Sequence, residues 1–354
     1  MAESTSSSST PEAAVHVVIL AGGVGSRFWP ASTPDVPKQL LPLLSGRPLV
    51  ADTLDRAKAL APAHQIHVLA NQRIGEALRD RVGDLLPDQI WEEPSSAGTG
   101  PALAFAAWAI HRDDPTGTMV SLHSDHRIEP LDRFVSTLNE AVAAAESGAL
   151  LTLGVRPTRP DPGFGYLLPA SPPGQAGIGV AEFVEKPTVD RAAALIESGW
   201  LWNSGIFVWR VDAFLAELEE TAPGIAALLP LLDRGDVGGF FREAPHISVD
   251  HAVLEKSTRL GVVRASFEWD DLGSWEAIGR LRAADGEGNV AMGSLHALDS
   301  AGNVTYAEGG AVALFGVEDL VVVHTPTVTF VMPRARADQL KTFVGTLPPE
   351  LRER

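Results

Sequence analysis

Short apolar runs alternate with amphipathic stretches along the first half of the chain. Four runs predict buried strands: His16–Leu20, Ile66–Ala70, Thr118–Leu122 and Ala149–Leu153. Between them, apolar residues recur at helical spacing, as at Leu49, Val50 and Leu54 and again at Phe134 and Leu138. Alternating strands and helices predict a Rossmann-like α/β domain around a mixed, mostly parallel central sheet.

The pattern changes after about Arg156. Residues 157–179 are rich in Gly and Pro and predict a lid or a hairpin, and strands follow at Val180–Val184 and Gly205–Arg210. Five tryptophans fall between residues 200 and 275, where they are either stacking faces for a sugar or core aromatics. These are Trp200, Trp202, Trp209, Trp269 and Trp275.

Beyond a Gly- and Asp-containing break at 284–289, short strand-like runs predict a small β module that ends in an amphipathic helix. The runs are Val304–Tyr306, Ala311–Phe315, Leu320–His324 and Val328–Met332, and the helix carries Leu340, Phe343, Val344 and Leu347. No strict internal period is visible, and a short β-helix stays open. We therefore expect a tail at 1–14, a catalytic domain at 15–284 and a β-rich domain at 285–354.

Composition narrows the function. The formal net charge of −17 disfavours nucleic-acid binding, and the lack of cysteine excludes disulfides and thiolate sites. No apolar run approaches the roughly 18 residues of a membrane span. Residues 1–14 are Ser/Thr-rich without a basic or apolar segment, which predicts a disordered tail, not a signal peptide. We expect a cytoplasmic protein that contacts neither nucleic acid nor membrane.

The loop after the first strand carries the first candidate chemistry. Glycines at 22, 23 and 25 let the backbone approach a phosphate, and Arg27 and Lys38 supply positive charge for a triphosphate. The loop has neither the dinucleotide fingerprint nor the ending of a P-loop, which disfavours a Rossmann-type oxidoreductase. From the glycines alone, a tight turn at a sheet edge remains an alternative.

The full stretch LAGGVGSRFWP at 20–30, followed by PKQLLPL at 37–43, resembles the opening of the sugar-1-phosphate nucleotidyltransferases. The residues Phe28-Trp29-Pro30 and Pro37-Lys38-Gln39 are similar to those of the mannose-1-phosphate guanylyltransferase branch of this family. Five later segments match in the family's order: SLHSDHRI at 121–128, FVEKP at 183–187, WNSGIFVW at 202–209, ISVDHAVLEKS at 247–257 and WDDLGSW at 269–275. A sixth, EEPSSAGTGPA at 92–102, matches only in part. The resemblance covers residues 16 to about 345.

This resemblance implies roles for individual residues. Arg27 and Lys38 would be catalytic, and Asp125 and Asp271 would bind Mg²⁺, a hard cation suited to carboxylate oxygen. Nucleotide binding would fall to Leu20, Ala21, Gly22, Gly23, Gly25, Glu93, Pro94 and Thr99. Sugar-phosphate binding would fall to Gly165, Glu185, Lys186 and Asn203. Asp250 and Glu255, in ISVDHAVLEKS, are expected to be structural or to support residues that contact the ligand. His123 and His126 lack an evident third ligand for a transition metal.

One segment departs from the family pattern. Ala97 and Gly98 stand where the family has a basic residue and then an amide or acid, in a loop near the base pocket. We expect discrimination between GTP and ATP to be looser if side chains there contact the base. We also expect Gly98→Asn to sharpen it, unless the backbone needs a positive φ.

The implied activity is transfer of GMP from GTP to mannose 1-phosphate, with pyrophosphate as the second product, in a monomer or a homodimer. Other substrate pairs stay open: glucose 1-phosphate with dTTP or UTP, and a heptose 1-phosphate with GTP. A catalytically silent subunit that senses nucleotide sugars is an alternative of a different class.

Overall fold

The computed structural model describes residues 14–83, 85, 87–170 and 177–352. The predicted tail therefore lies outside the described residues, except for Ala14. The chain divides into two compact units. Unit 1 comprises the described residues within 1–18, 97–121 and 138–264, and unit 2 those within 19–96, 122–137 and 265–354.

The strands include each apolar run singled out from the sequence. They are β1 (Val15–Leu20), β2 (Ile66–Asn71), β3 (Ile90–Glu93), β4 (Thr118–His123), β5 (Arg127–Glu129), β6 (Leu150–Val155), β7 (Tyr166–Pro169), β8 (Ile178–Val184), β9 (Leu201–Arg210), β10 (Leu260–Arg264), β11 (Glu268–Asp270), β12 (Val290–Leu298), β13 (Val304–Phe315), β14 (Leu320–His324) and β15 (Thr329–Pro333). Two predicted runs join in β13, since Gly309 and Gly310 carry the strand through positive φ angles.

Helices cover the amphipathic stretches. They are α1 (Leu49–Lys58), α2 (Gln72–Arg81), α3 (Thr99–Asp113), α4 (Leu131–Ala145), α5 (Val189–Glu197), α6 (Val211–Thr221), α7 (Pro223–Ala226), α8 (Leu229–Asp233), α9 (Val237–Glu243), α10 (Trp275–Leu281), α11 (Leu340–Thr346) and α12 (Pro349–Arg352). The predicted terminal helix is confirmed as α11. Among the described residues, no helix has the length and apolarity needed to cross a bilayer.

The sheet strands of unit 1 are mixed in direction, as predicted. Strand β9 runs antiparallel to β4, β6 and β7, while β6 and β10 are parallel. Strands β7 and β8 form an antiparallel pair, which a short connection requires. This pair confirms the hairpin predicted for the Gly/Pro-rich region, whose residues 171–176 lie outside the described part.

The C-terminal strands of unit 2 form a short β-helix-like sheet. Strands β12, β13 and β14 pair in parallel and in chain order, and β15 closes the sheet antiparallel to β14. Gly-Asn-Val recurs 14 residues apart, at 288–290 and 302–304. The two buried asparagines stack, with Asn303 Nδ2 donating to Asn289 Oδ1 at 2.9 Å. The sequence therefore holds a local period that the pattern analysis missed.

The aromatic residues of the loop after β1 belong to the core of unit 2. The Phe28 and Trp275 rings pack edge to face at 5.0 Å, and Trp29 packs in the same way on Phe330 at 5.3 Å. All five tryptophans between residues 200 and 275 are buried, with exposures of 7% or less. They are core aromatics and not exposed stacking faces. Through the contact between Trp29 and Phe330, the β module packs against the Gly-rich loop.

Candidate active site

The Gly-rich loop after β1 is built around Lys38. Gly25 has φ 78°, and a Cβ there would overlap the Lys38 side chain, so the close approach requires glycine. The Lys38 amide donates to the Val24 carbonyl at 3.0 Å, and Ser32 Oγ donates to the Gly25 carbonyl at 2.5 Å. These bonds fix the loop that presents Gly22 and Gly23.

Lys38 links the two predicted metal ligands. Its ammonium donates to Asp125 Oδ2 at 2.7 Å and to the backbone carbonyl of Asp271 at 2.9 Å. The lysine side chain is only 7% exposed, whereas that of Asp125 is 27% exposed. Residues separated by 87 and 233 positions in the chain therefore meet at one buried positive charge.

The electrostatics at Asp125 suit a cation. Burial is the largest single influence and would raise the pKa of this carboxyl, but the Lys38 ammonium and the neighbouring His126 and His123 together outweigh it, and the pKa falls to about 2. Asp125 is therefore a carboxylate throughout the physiological pH range. Carboxylate oxygens are the ligands that hard divalent cations prefer, so the residues present fit such an ion.

The adjacent acids Asp270 and Asp271 differ in their surroundings. Asp270 is buried, accepts a hydrogen bond from the Leu272 amide at 2.9 Å and pairs with Arg280 at 3.3 Å. Asp271 is half-buried and accepts from the Gly273 amide at 3.1 Å. Arg27 Nη1 makes a long contact of 3.4 Å with the Gly273 carbonyl. Asp270 shapes the turn, and Asp271 is the one suited to reach a ligand.

Two histidines adjoin Asp125. His123, Asp125 and His126 place ligand atoms within 4.8 Å of one another, so the third ligand that the sequence did not reveal is Asp125 itself. However, His126 Nδ1 accepts a hydrogen bond from Trp269 Nε1 at 3.1 Å. Burial lowers the pKa of both histidines, so they are neutral at pH 7, and the proton of His126 lies on Nε2. His126 is thus poorly disposed to bind a metal.

Glu93, at the end of β3, is a buried carboxyl near the Gly-rich loop. A Cβ built on Gly22 would lie 4.0 Å from Glu93 Oε2. Burial raises the pKa of Glu93 to about 7. No charged partner within the described residues offsets this effect. A buried carboxyl without compensation is typical of a group that meets a ligand.

The predicted sugar-phosphate residues meet in unit 1. The backbone N–H of Asn203 donates to the Gly165 carbonyl at 2.8 Å, and the Asn203 side-chain Nδ2 donates to Asp250 Oδ1 at 2.9 Å. Lys186 pairs with Glu185 at 2.5 Å, and a Cβ on Gly165 would lie 2.6 Å from Glu185 Oε2. Lys186 is exposed and has φ 46°. The hydrogen-bonded Asn203 side chain and the exposed Lys186 ammonium thus belong to one cluster.

Comparisons with known proteins identify relatives of this chain. A nucleotidyl transferase family model matches residues 16–287, and a model of the MannoseP isomerase/GMP-like beta-helix domain matches residues 293–347. The chain is 35% identical to an Escherichia coli mannose-1-phosphate guanylyltransferase over 93% of this chain and 73% of that protein. It is 34% identical to the xanthan biosynthesis protein XanB of Xanthomonas campestris pv. campestris, over 93% and 72%.

A solved structure is similar as well. The crystal structure named mannose-1-phosphate geranyltransferase, from Thermus thermophilus, superposes with a TM-score of 0.87 at 30% identity, over 94% of this chain and 98% of that one. The chain belongs to the mannose-1-phosphate guanylyltransferase family. The family match, the mixed nucleotidyltransferase sheet and the C-terminal β-helix-like module are therefore confirmed.

The departure from the guanylyltransferase pattern at 97–98 has a structural reason. Gly98 has φ 87° and ψ 173°, and a Cβ there would lie 2.6 Å from the Ile247 carbonyl oxygen. Gly98→Asn is therefore expected to disturb the backbone, which makes it unsuitable as a test of base recognition. Ala97 is fully buried, and Thr99 Oγ1 accepts from the Val249 amide at 3.0 Å. These residues hold the 247–250 segment.

The predicted site residues of this guanylyltransferase-family chain fall into two sets. Unit 2 holds the residues expected for the triphosphate and metal: Leu20, Ala21, Gly22, Gly23, Gly25, Arg27, Lys38, Glu93, Pro94, Asp125 and Asp271. Unit 1 holds Thr99, Gly165, Glu185, Lys186 and Asn203. Asp250, expected from its motif to be structural or supporting, is the hydrogen-bond partner of the Asn203 side chain, a pairing that the sequence did not specify.

Proposed function

We propose that this chain transfers GMP from GTP to mannose 1-phosphate and releases pyrophosphate. The observation that carries the proposal is the Lys38 ammonium bonded to both the Asp125 carboxylate and the Asp271 backbone carbonyl. One buried ammonium thus joins the two segments that carry the acids proposed to bind a cation. The names of the relatives and the Asn203–Asp250 cluster in unit 1 support the same substrates.

The proposed chemistry is an in-line displacement at phosphorus. A phosphate oxygen of mannose 1-phosphate bonds to the α-phosphorus of GTP, and the bond from that phosphorus to the bridging oxygen of pyrophosphate breaks. The attacking phosphate is already anionic at pH 7, so no strong general base is needed. Catalysis then rests on positioning and charge neutralisation, with Arg27 and Lys38 on the triphosphate and Lys186 on the sugar phosphate.

We assign Asp125 and Asp271 as the residues that hold Mg²⁺. The ion, when bound, would neutralise phosphate charge and help to orient the reacting oxygens. This assignment follows from the carboxylate ligands and the low pKa of Asp125. The domain boundaries at residues 15, 284 and 285, the homodimer and the cytoplasmic location stay predictions.

The direct test is pyrophosphate release by the purified chain over a matrix of nucleotides and sugar phosphates. The nucleotides are GTP, ATP, dTTP and UTP, and the acceptors are mannose, glucose and heptose 1-phosphates. We expect GTP with mannose 1-phosphate to give the highest kcat/KM. A higher value for another pair would contradict the substrate assignment, and no release with any pair would favour the sensing subunit.

Lys186→Ala is expected to raise KM for mannose 1-phosphate by about tenfold or more and to change KM for GTP by less than about twofold. The reason is the exposed ammonium beside the Asn203 cluster, which suits a phosphate. Initial rates measured at varied concentrations of each substrate give both constants. Lys341→Ala, at another exposed lysine, is the control and should leave both unchanged. Equal effects of Lys186→Ala on the two substrates would contradict the assignment.

The KM for mannose 1-phosphate is expected to depend on the protonation of Asp250. Burial, followed by the nearby Glu185 charge, raises the pKa of Asp250 to about 6. Below this pH the carboxylate is protonated, and its charge-assisted hydrogen bond with Asn203 becomes a neutral one, which raises KM by roughly threefold. At pH 7.5 the carboxylate is ionised and KM is lowest.

The substrate phosphate also titrates near pH 6, so the measurement is a comparison of two KM profiles from pH 5 to 8. Asp250→Asn keeps an oxygen for Asn203 but cannot ionise, so its profile should retain only the substrate's contribution. Profiles of identical shape for wild type and variant would show that Asp250 does not control sugar binding.

A further inference from the structure

A cavity in unit 2 adjoins the loop that carries Asp125, because Arg127 and Glu129 form part of its wall. Its volume of about 490 Å³ is in the range of small-ligand sites. Its polar lining comprises Ser45, Asp52, Arg56, Arg127, Glu129 and Arg282. None of these side chains has a part in the proposed reaction, although three of them are arginines in a strongly acidic protein.

Two of the three arginines are held in place by neutral oxygens. Arg56 Nη2 donates to Thr53 Oγ1 at 2.6 Å and to the His126 carbonyl at 2.9 Å. Arg282 Nη1 donates to the carbonyls of Leu43 and Leu44 at 2.9 and 2.7 Å. In the described part of the chain, neither guanidinium has a carboxylate oxygen within 4.0 Å. Both are fixed cations without a direct counter-ion.

The acids of the cavity are engaged with other groups. Asp52 accepts hydrogen bonds from Ser45 Oγ at 2.9 and 2.8 Å, and Glu129 pairs with Arg127 at 2.6 Å. Arg56 is 9% exposed, and its Nε is buried without an acceptor among the described residues. Burial lowers the pKa of Arg56 to about 10, although Asp52 and Glu129 act in the opposite direction. The charge of Arg56 is thus incompletely compensated.

We propose that this cavity binds a phosphorylated sugar at a site separate from the substrates. Arg56 and Arg282 would take the phosphate, since guanidinium groups form paired hydrogen bonds with phosphate oxygens. Asp52, Glu129 and Ser45 would accept or donate hydrogen bonds to the sugar hydroxyls. This mixed lining distinguishes a sugar phosphate from a bare phosphate ion, which has no use for the two carboxylates.

Hydrogen bonds link the cavity to the loop that carries the proposed metal ligand Asp125. Thr53 Oγ1, which accepts from Arg56, itself donates to the Ser124 carbonyl at 3.2 Å. Arg56 bonds the His126 carbonyl, so α1 holds the loop on both sides of Asp125. A ligand that binds Arg56 therefore changes the position of Asp125. The bound sugar phosphate should then shift the magnesium concentration that gives the half-maximal rate.

The first test is calorimetric titration of the full chain with glucose 6-phosphate and, separately, with inorganic phosphate. We expect one equivalent of glucose 6-phosphate to bind, and phosphate to bind at least about tenfold more weakly. Arg282→Gln removes the charge but keeps a polar side chain, and should weaken glucose 6-phosphate binding about tenfold or more. Arg336→Gln, at an exposed arginine outside the cavity, and Lys186→Ala should bind as wild type does.

Several results would overturn the proposal. One is binding by a folded Arg282→Gln variant that equals that of wild type. Another is loss of binding in Lys186→Ala, which would place glucose 6-phosphate at the substrate site. Equal affinities for inorganic phosphate and glucose 6-phosphate would exclude contacts to the sugar. None of these binding measurements needs turnover, so their failure is separable from failure of the proposed reaction.

A second variant and a kinetic measurement complete the design. Asp52→Asn, on α1, should weaken glucose 6-phosphate binding while leaving phosphate binding unchanged; no change for either ligand would contradict the assignment. In wild type, saturating glucose 6-phosphate should shift the magnesium concentration for half-maximal rate at least about threefold. The same shift in Arg282→Gln, or no shift in wild type, would overturn the coupling to Asp125.

Discussion

Asp125→Asn is expected to lower kcat by about 1000-fold or more at saturating magnesium. The change removes the charge of a proposed metal ligand but keeps its size. It also takes the carboxylate partner from the Lys38 ammonium, which donates to Asp125 Oδ2 at 2.7 Å. Because the Lys38 side chain is only 7% exposed and keeps only neutral acceptors such as the Asp271 carbonyl, the cost in unfolding free energy should be about 3 kcal/mol.

The measurements are kcat from pyrophosphate release and the free energy of unfolding from denaturant titration. Asp270→Asn is the matched control, since its remaining oxygen still accepts from the Leu272 amide while the Arg280 ion pair is lost. We expect it to lose stability yet keep kcat within about fivefold of wild type. An Asp125→Asn enzyme within tenfold of wild type would exclude Asp125 as an essential ligand.

The apolar runs predicted most of the elements, because strands buried in a sheet carry a strong local signal. The pairing of Lys38 with Asp125 could not be predicted in the same way. Nothing in either segment specifies a partner 87 positions away, and only the folded chain brings them together. The motifs did indicate that both residues matter, since a cation site needs carboxylates and a triphosphate needs positive charge.

Two features show what a local sequence pattern does not specify. The antiparallel course of β9 depends on which strands flank it, which its own sequence does not specify. From the sequence, Gly98 indicated the loss of a side chain from the base pocket. The structure gives another reason for the glycine, since its φ is 87° and the Ile247 carbonyl leaves no room for a Cβ. By contrast, the Gly-Asn-Val repeat at 288–290 and 302–304 was visible in the sequence, and a search for 14-residue spacing would have found it.

We propose that the other candidate in the same segment, Glu93, recognises the base. An ionised carboxylate has two acceptor oxygens, which match the N1–H and 2-amino donors of guanine, whereas adenine offers no such pair. Inosine 5′-triphosphate lacks only the 2-amino group. Burial has already raised the pKa of Glu93 to about 7, so binding of guanine must favour the ionised form and draw that pKa down.

Glu93→Gln is therefore expected to reduce the preference for GTP over inosine triphosphate by about 10- to 100-fold, since one buried hydrogen-bond match is worth about 1–3 kcal/mol. In wild type, KM for GTP should fall as the pH rises through 7, because more of the free enzyme is then ionised. The variant should retain only the contribution of the GTP γ-phosphate, because glutamine does not titrate. Gln89 cannot take over this role, because its side-chain amide donates to the Ala63 and Ile66 carbonyls.

The measurement that tests this prediction is the ratio of kcat/KM for GTP and inosine triphosphate from pH 6 to 8. An unchanged ratio in a folded Glu93→Gln enzyme would mean that the guanine edge is held by another group, and that Glu93 is buried for structural reasons alone.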